Sequence, residues 1–223
     1  RRYTAGSLKS ASHLFSRDII RAITGSPGLP GSKIVFSGSR GKGREIYICD
    51  YDGKNLRPLT NDNSLAVSPS ISPTGTTIAF TSYRSGYPDV WGLDLRSGNR
   101  TRLFNSPGTN TGSAISPDGG KVALTMSFSG NPELYVGSIR GGRAKALTKS
   151  MAVESSPTWS PDGKKIAYTA GTGSSPRLMV ISSSGGQGQV INTGFGYNTE
   201  PTWSPDGQKI TFNVRSGGTI RIA

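Results

Sequence analysis

The residues able to do covalent or acid–base chemistry are few. The chain has one histidine, His13, and one cysteine, Cys49. Nucleophilic catalysis needs a nucleophile with a base in reach. His13 stands in "SHLFSRDII", on a predicted helix and away from the repeated part of the chain, where packing or capping is the natural role. Cys49 closes the apolar run "IYICD" and reads as a buried structural thiol; with no second cysteine it forms no internal disulfide. The serine elbow G-x-S-x-G does not occur. No histidine–cysteine cluster has the spacing of a zinc site, so neither metal nor other cofactor is expected. "GSRGKGRE" has glycines and cations, but it is not G-x-x-x-x-G-K-[ST] and opens no helix, so it reads as a loop. Asp52, Asp118, Asp162 and Asp206 each precede a glycine in separate parts of the chain and read as turn formers, not as a paired acid and base. The sequence therefore points away from an enzyme.

Gly 31 and Pro 14 in 223 residues, without a G-X-Y period, imply many turns and short strands. No apolar run approaches the roughly 18 residues of a membrane helix. The opening "RRYTAGSLKS" shows no apolar stretch of a secretory signal. Lys+Arg 26 against Asp+Glu 13 leave a formal charge of +13, which attracts polyanions without choosing among nucleic acid, anionic lipid, cell wall or an acidic protein. Nucleic acid is disfavoured, because aromatics are not interleaved with the cations as stacking surfaces require.

The turns repeat. Ser72, Ser116, Ser160 and Ser204 open "SPTG", "SPDG", "SPDG" and "SPDG", each 44 residues after the last. Ile71, Ile115, Trp159 and Trp203 precede them. A second ladder with the same period runs through Ile34, Ile78, Val122, Ile166 and Ile210, a third through Tyr47, Trp91, Tyr135 and Met179, and a fourth through Leu59, Leu103, Leu147 and Ile191. Each unit reads as four short strands, with Gly supplying positive φ and Pro presetting the turn. Four strands per 44 residues is the signature of a β-propeller blade. One blade cannot cover both faces of its own sheet, so the ladder residues are expected between stacked blades. The expected fold is all-β, with blades around 31–60, 61–104, 105–148, 149–192 and 193–223. Five second strands but four Ser-Pro turns give about four and a half blades, so the chain is read as a fragment, or as one whose ends pair with something outside it.

Residues 1–30 differ. Leu14, Phe15, Ile19, Ile20 and Ile23 have helical spacing, and Gly25 and Pro27 stop the run. This predicts one amphipathic helix over about 11–24, belonging to an α/β domain whose remainder lies upstream, then a linker.

A helix "SHLFSRDIIRAITGSPG", a short linker, "KIVF", and repeats that end in "LT" and restart with "PTWSPDGKKIAY" resemble the TolB family over essentially the whole chain. "WSPDG" alone is less specific; it is similar also to the propellers of prolyl oligopeptidases and tricorn-type proteases, and a peptidase propeller lacking its catalytic domain is the alternative. The resemblance implies a periplasmic, non-enzymatic component of the Tol–Pal system with a six-bladed propeller behind an α/β domain. It implies that the propeller binds the peptidoglycan-associated lipoprotein Pal, that TolA is engaged through the N-terminal region absent here, and that the system supports outer-membrane integrity and division.

Up-and-down strands sort the loops onto two faces. The first carries the Pro-Asp-Gly turns and the Gly turns between third and fourth strands, and many cations. It could meet anionic cell wall. The second carries the longer loops between second and third strands and those between blades, where binding residues usually sit. On it the candidates for a partner are Arg40, Lys42, Arg44, Arg84, Tyr87 and Phe128 between strands, and Asn61, Asn110, Met151, Glu154, Phe195, Tyr197 and Glu200 between blades.

Overall fold

The computed structural model describes residues 8–25, 28–171 and 174–223. Helix α1 spans Leu8–Thr24, and the rest is short strands in five antiparallel sheets. The first sheet has β1 (Lys33–Arg40), β2 (Gly43–Asp50) and β3 (Arg57–Pro58). The second has β4 (Ala66–Ile71), β5 (Thr77–Ser82), β6 (Asp89–Asp94) and β7 (Arg100–Phe104). The third has β8 (Asn110–Ile115), β9 (Lys121–Met126), β10 (Glu133–Ser138) and β11 (Lys145–Ala146). The fourth has β12 (Val153–Trp159), β13 (Lys165–Gly171), β14 (Arg177–Ser182) and β15 (Gln189–Val190), and the last β16 (Asn198–Trp203), β17 (Ile210–Ser216) and β18 (Thr219–Ile222). Strand order within every sheet follows the chain, which is the meander of a propeller blade. By the repeat, the first sheet begins at the second-strand position and the last ends at the third.

Burial shows why the blades stack. β5, β9 and β13 do not alternate in and out. Ile78, Ala79 and Phe80 are all fully covered, and so are Val122, Ala123 and Leu124, and Ile166 and Ala167. A strand covered on both sides reads as a continuous apolar run. The core divides accordingly. Ile46, Ile78, Phe80 and Leu93 pack between the first and second sheets. Val90, Phe104, Val122 and Leu124 pack between the second and third, and Leu134, Trp159, Ile166 and Tyr168 between the third and fourth. In the end sheets the same ladders lose their cover: Ile34 is 46 % exposed where Ile78 and Ile166 are 0 %.

The Ser-Pro turns are small hydrogen-bonded cages. In the fourth sheet Gly163 N–H donates to Ser160 O at 2.9 Å with Gly163 at φ 70°, a value that glycine adopts without strain. The Ser160 hydroxyl accepts from Lys165 N–H at 2.9 Å and donates to Asp162 Oδ1 at 2.6 Å. The hydroxyl, and then the Lys164 amide, hold the Asp162 carboxyl below its ordinary pKa. Ser116–Asp118 and Ser204–Asp206 repeat this arrangement with the same direction of shift. The aspartates are turn formers, as their spacing implied.

A second device repeats in the innermost strands. Pairing slips between Val67 and Ser70, Thr111 and Ala114, Ser155 and Thr158, and Thr199 and Thr202. The residue after each slip begins has positive φ: Ser68 (51°), Gly112 (65°), Ser156 (52°) and Glu200 (53°). Each is a bulge that bends the strand. The second strand of the preceding blade supports it: Gly112 N–H donates to Thr81 Oγ1 at 3.2 Å and Glu200 N–H to Thr169 Oγ1 at 3.1 Å.

Gly137 in β10 occupies the ladder position of Leu93 and Ile181. A Cβ there would lie 2.5 Å from Cε1 of Phe104, whose ring comes from the previous blade. Gly137→Ala is expected to destabilise the protein by about 1–3 kcal/mol through overpacking. The urea midpoint reads this, and a change under about 0.5 kcal/mol would show that the Phe104 ring moves freely.

Candidate functional site

The second-face loops are held from beneath by buried acids. Glu45, Asp89 and Glu133 lie at or near the start of the third strands at a 44-residue spacing and are 1 %, 2 % and 3 % exposed. Glu45 Oε1 accepts from the amides of Asp62 and Asn63 at 2.8 and 2.9 Å, and its other oxygen accepts from the Thr60 hydroxyl. Thr60 Oγ1 also accepts from Ile46 N–H at 2.9 Å. The "LT" ending of the repeat thus links the third strand, the buried acid and the loop to the next blade. Asp89 is held by Arg102 Nη2 at 2.6 Å and by the Ser85 hydroxyl at 2.6 Å. Glu133 Oε1 accepts from Ser150 N–H at 2.7 Å. These acids were not among the expected site residues, although "EIYICD", "DVWGLD" and "ELYVGS" display them at the repeat period.

The expected partner residues sort by exposure. Tyr87, Phe128, Met151 and Phe195 stand out at 74, 51, 91 and 47 % exposed. Phe128 leans on Tyr135 with ring centres 5.4 Å apart, and Phe195 meets Phe212 edge-on at 6.5 Å. Arg84 lies over the Trp91 ring at 5.1 Å and 3.5 Å from Asp62. Arg44 donates to Ser37 O at 3.0 Å and so ties β2 to β1. Arg215 covers Tyr197 at 4.4 Å. Lys42 and Asn61 are exposed. Glu200, also exposed, accepts from Asn213 Nδ2 at 2.7 Å. The side chain of Arg40 lies outside the described residues.

Asn110 and Glu154 are corrections to the exposed roles expected of them. Asn110 is fully buried, and its amide donates to Ser106 O at 2.8 Å, bracing the loop that leads into β8. Glu154 is 3 % exposed and bonds to the loop 148–152 from below. Inter-blade position alone could not show this, because the innermost strand begins beneath its own loop. The cations are also less free than the count implies. Arg100 places Nη1 2.9 Å from both oxygens of Asp62 and Nη2 2.9 Å from Leu59 O, clamping the second sheet to the first. Arg102 is likewise committed to Asp89. Lys54, Arg57, Arg96, Arg140, Arg143, Lys145, Lys121, Lys164, Lys165 and Lys209 remain exposed on the first face.

The two chemically distinctive residues have structural surroundings. His13 sits with its ring 5.1 Å from that of Tyr51 and Nε2 3.8 Å from Asp52 Oδ2, docking α1 on the first sheet. Cys49 is buried. Among the described residues no group of three or more His, Cys, Asp or Glu side chains is arranged for a metal.

Five stacked blade sheets, with aromatic and Met side chains exposed on one loop face, make this a β-propeller. The family description "TolB beta propeller domain" matches residues 20–223, and the chain belongs to that family. It is 43 % identical over 72 residues to the "Protein TolB homolog" of Chlorobium chlorochromatii, a match covering 32 % of this chain and 16 % of that protein. It is 38 % identical over 76 residues to the "Tol-Pal system protein TolB" of Geobacter metallireducens, covering 33 % and 18 %. The crystal structure of TolB from Acinetobacter baumannii superposes with a TM-score of 0.86 at 26 % identity. That match covers 99 % of this chain and 57 % of the other, so the chain spans little more than half of that relative.

Removing a buried acid should release the loop above it. Glu45→Ala leaves the amides of Asp62 and Asn63 and the Thr60 hydroxyl without their acceptor and is expected to cost about 2–4 kcal/mol. Thermal unfolding reads this. A loss below about 1 kcal/mol would show that water replaces the carboxylate and that the loop does not depend on it.

Proposed function

We propose that this chain is the propeller of a periplasmic, non-enzymatic Tol–Pal component that binds Pal through its second face. In this reading the protein supports outer-membrane integrity and cell division, and engages TolA through an N-terminal region outside this chain. The observation that carries the reading is the family match over residues 20–223, combined with a loop face whose exposed side chains are of hot-spot type. The division into an N-terminal-domain helix (1–30) and a propeller (31–223) belongs to the same proposal. Among the described residues no helix is long and apolar enough to cross a membrane. The exposed lysines and arginines of the first face suit a contact with anionic cell wall. The non-enzymatic part of the reading is supported by the packing of His13 against Tyr51 and by the burial of Cys49.

The test is affinity capture from envelope extract on the intact protein and on a variant with Tyr87→Ala, Phe128→Ala and Met151→Ala. All three side chains are at least half exposed, so their removal should leave the fold unchanged. The expected outcome is recovery of a peptidoglycan-associated lipoprotein, reduced roughly tenfold or more in the variant, as loss of two or three hot-spot contacts implies. Equal recovery moves the site off these loops. Absence of any Tol–Pal protein among the captured species overturns the proposal.

A further inference from the structure

One junction between blades differs from the others. At the head of the third strand the repeat places Glu45, Asp89, Glu133 and Arg177, and at the start of the next innermost strand Ala66, Asn110, Glu154 and Asn198. An acid therefore faces alanine, an acid faces asparagine, and arginine faces asparagine. Only between the third and fourth sheets does an acid face an acid. Glu133 and Glu154 are both 3 % exposed, and Ser150 bonds to both of them.

Both carboxyls grip the same loop. Ser150 N–H donates to Glu133 Oε1 at 2.7 Å and the Ser150 hydroxyl to Glu154 Oε1 at 3.1 Å. Glu154 Oε2 accepts from the Thr148 hydroxyl and from Leu134 N–H. Asn131 Nδ2 donates to Ala152 O and, at 3.3 Å, to Ser150 O, and Glu154 N–H donates to Pro132 O at 3.0 Å. Glu133 Oε2 is buried and has no donor among the described residues. Two ionised carboxylates are both acceptors and repel one another, whereas a single proton turns the pair into donor and acceptor. At the crown of the loop held in this way is Met151, at 91 % the most exposed large apolar side chain among the described residues.

We propose that Glu133 and Glu154 hold one proton between them, and that this proton latches the loop 148–152 and sets by pH how Met151 is presented on the second face. Nearby ionisable groups do not neutralise the pair. Tyr168 from β13, Arg177 at the head of β14 and Lys149 in the loop line the same cleft of about 440 Å³ as Glu154. Arg177 and Lys149 are exposed, and among the described residues neither forms an ion pair with either glutamate. Burial, and then the two acids, push the Tyr168 hydroxyl up to about 12, so it stays neutral. Burial, reinforced by Glu133, raises Glu154 from 4.5 to about 7. Because the pKa in the latched form lies above that of an open, solvated loop, the proton's contribution is full below about 4.5, fades as pH rises, and is gone above about 7.

The inference does not depend on which partner docks, and its test uses none. Amide hydrogen exchange of the intact protein is followed from pH 5 to pH 8.5, with each rate divided by its intrinsic value at that pH. The segment 148–154 is compared with 61–65, which the unpaired acid Glu45 holds. The expected result is an opening of 148–154 that grows by up to about tenfold per pH unit and levels off above about 7, while 61–65 stays flat. Glu154→Gln should abolish the slope and leave the loop as protected as in the parent at low pH, whereas Glu133→Gln, which leaves Glu154 buried, should weaken the slope and move it to lower pH. A flat parental profile, a slope shared equally by 61–65, or a slope that survives both substitutions would overturn the latch. If the variants fail to fold, the parental comparison of the two loops still decides.

Discussion

A sheet of four short strands with large side chains on both faces has no stable place alone in water. Burying one face against a neighbour leaves the other face open, and the same need passes to the next sheet. The blade-to-blade contact therefore governs the rest of the structure. It explains why β5, β9 and β13 read as unbroken apolar runs, and why the period is held at 44 residues. It also explains why the end sheets leave Ile34 and Ile222 at 46 and 80 % exposure. Burial at roughly 25 cal/mol per Å² supplies the drive, but direction comes from polar contacts that cross between blades. Trp159 Nε1 reaches Ala114 O at 2.9 Å, and Ser70 Oγ accepts from Ile115 N–H at 3.0 Å. These bonds fix how far each blade slides along the last.

The two faces are then built by different means. On the first face the Ser-Pro-Asp-Gly cage closes on itself: serine, aspartate and glycine satisfy one another within five residues. Such a turn needs nothing from the next blade and leaves its lysines in water. On the second face the loops are longer and cannot satisfy their own amides. In the first three sheets they borrow carboxylates from the third strand beneath them, Glu45, Asp89 and Glu133, and each of these acids is removed from solvent. A loop anchored at its base can hold an exposed aromatic or methionine at its crown without losing its shape, which lowers the ordering cost of binding.

The fold was legible because its information is periodic. Four ladders at one spacing specify strand order, turn type and the stacking of blades without any tertiary knowledge. The site was less legible, because exposure within a loop depends on which neighbour lies beneath it. Met151 and Glu154 are three residues apart and were expected to act alike, yet one is 91 % exposed and the other 3 %. The helix rule or the strand rule for facing does not extend to a loop that enters an innermost strand. The bulges were missed for a related reason. Three of their four positive-φ residues, Ser68, Ser156 and Glu200, are not glycine, so the chain gives no local warning of the left-handed backbone. The repeat of Ser68, Gly112, Ser156 and Glu200 becomes visible only once the pairing slips are known.

A repeated scaffold also shows where selection for shape ends. Ladder positions that pack between blades stay apolar from Ile78 to Ile166, since any polar group there would be buried without a partner. The ladder from Glu45 to Arg177 keeps charge or hydrogen bonding but changes sign, and the ladder from Ala66 to Asn198 changes from apolar to amide to acid and back to amide. Those two ladders meet beneath the second-face loops. The variation is therefore concentrated where it alters how each loop is held, while the sheets that carry the loops remain the same. In a stack of near-equivalent blades, this is the arrangement by which one loop can be made to respond to its surroundings while its neighbours do not.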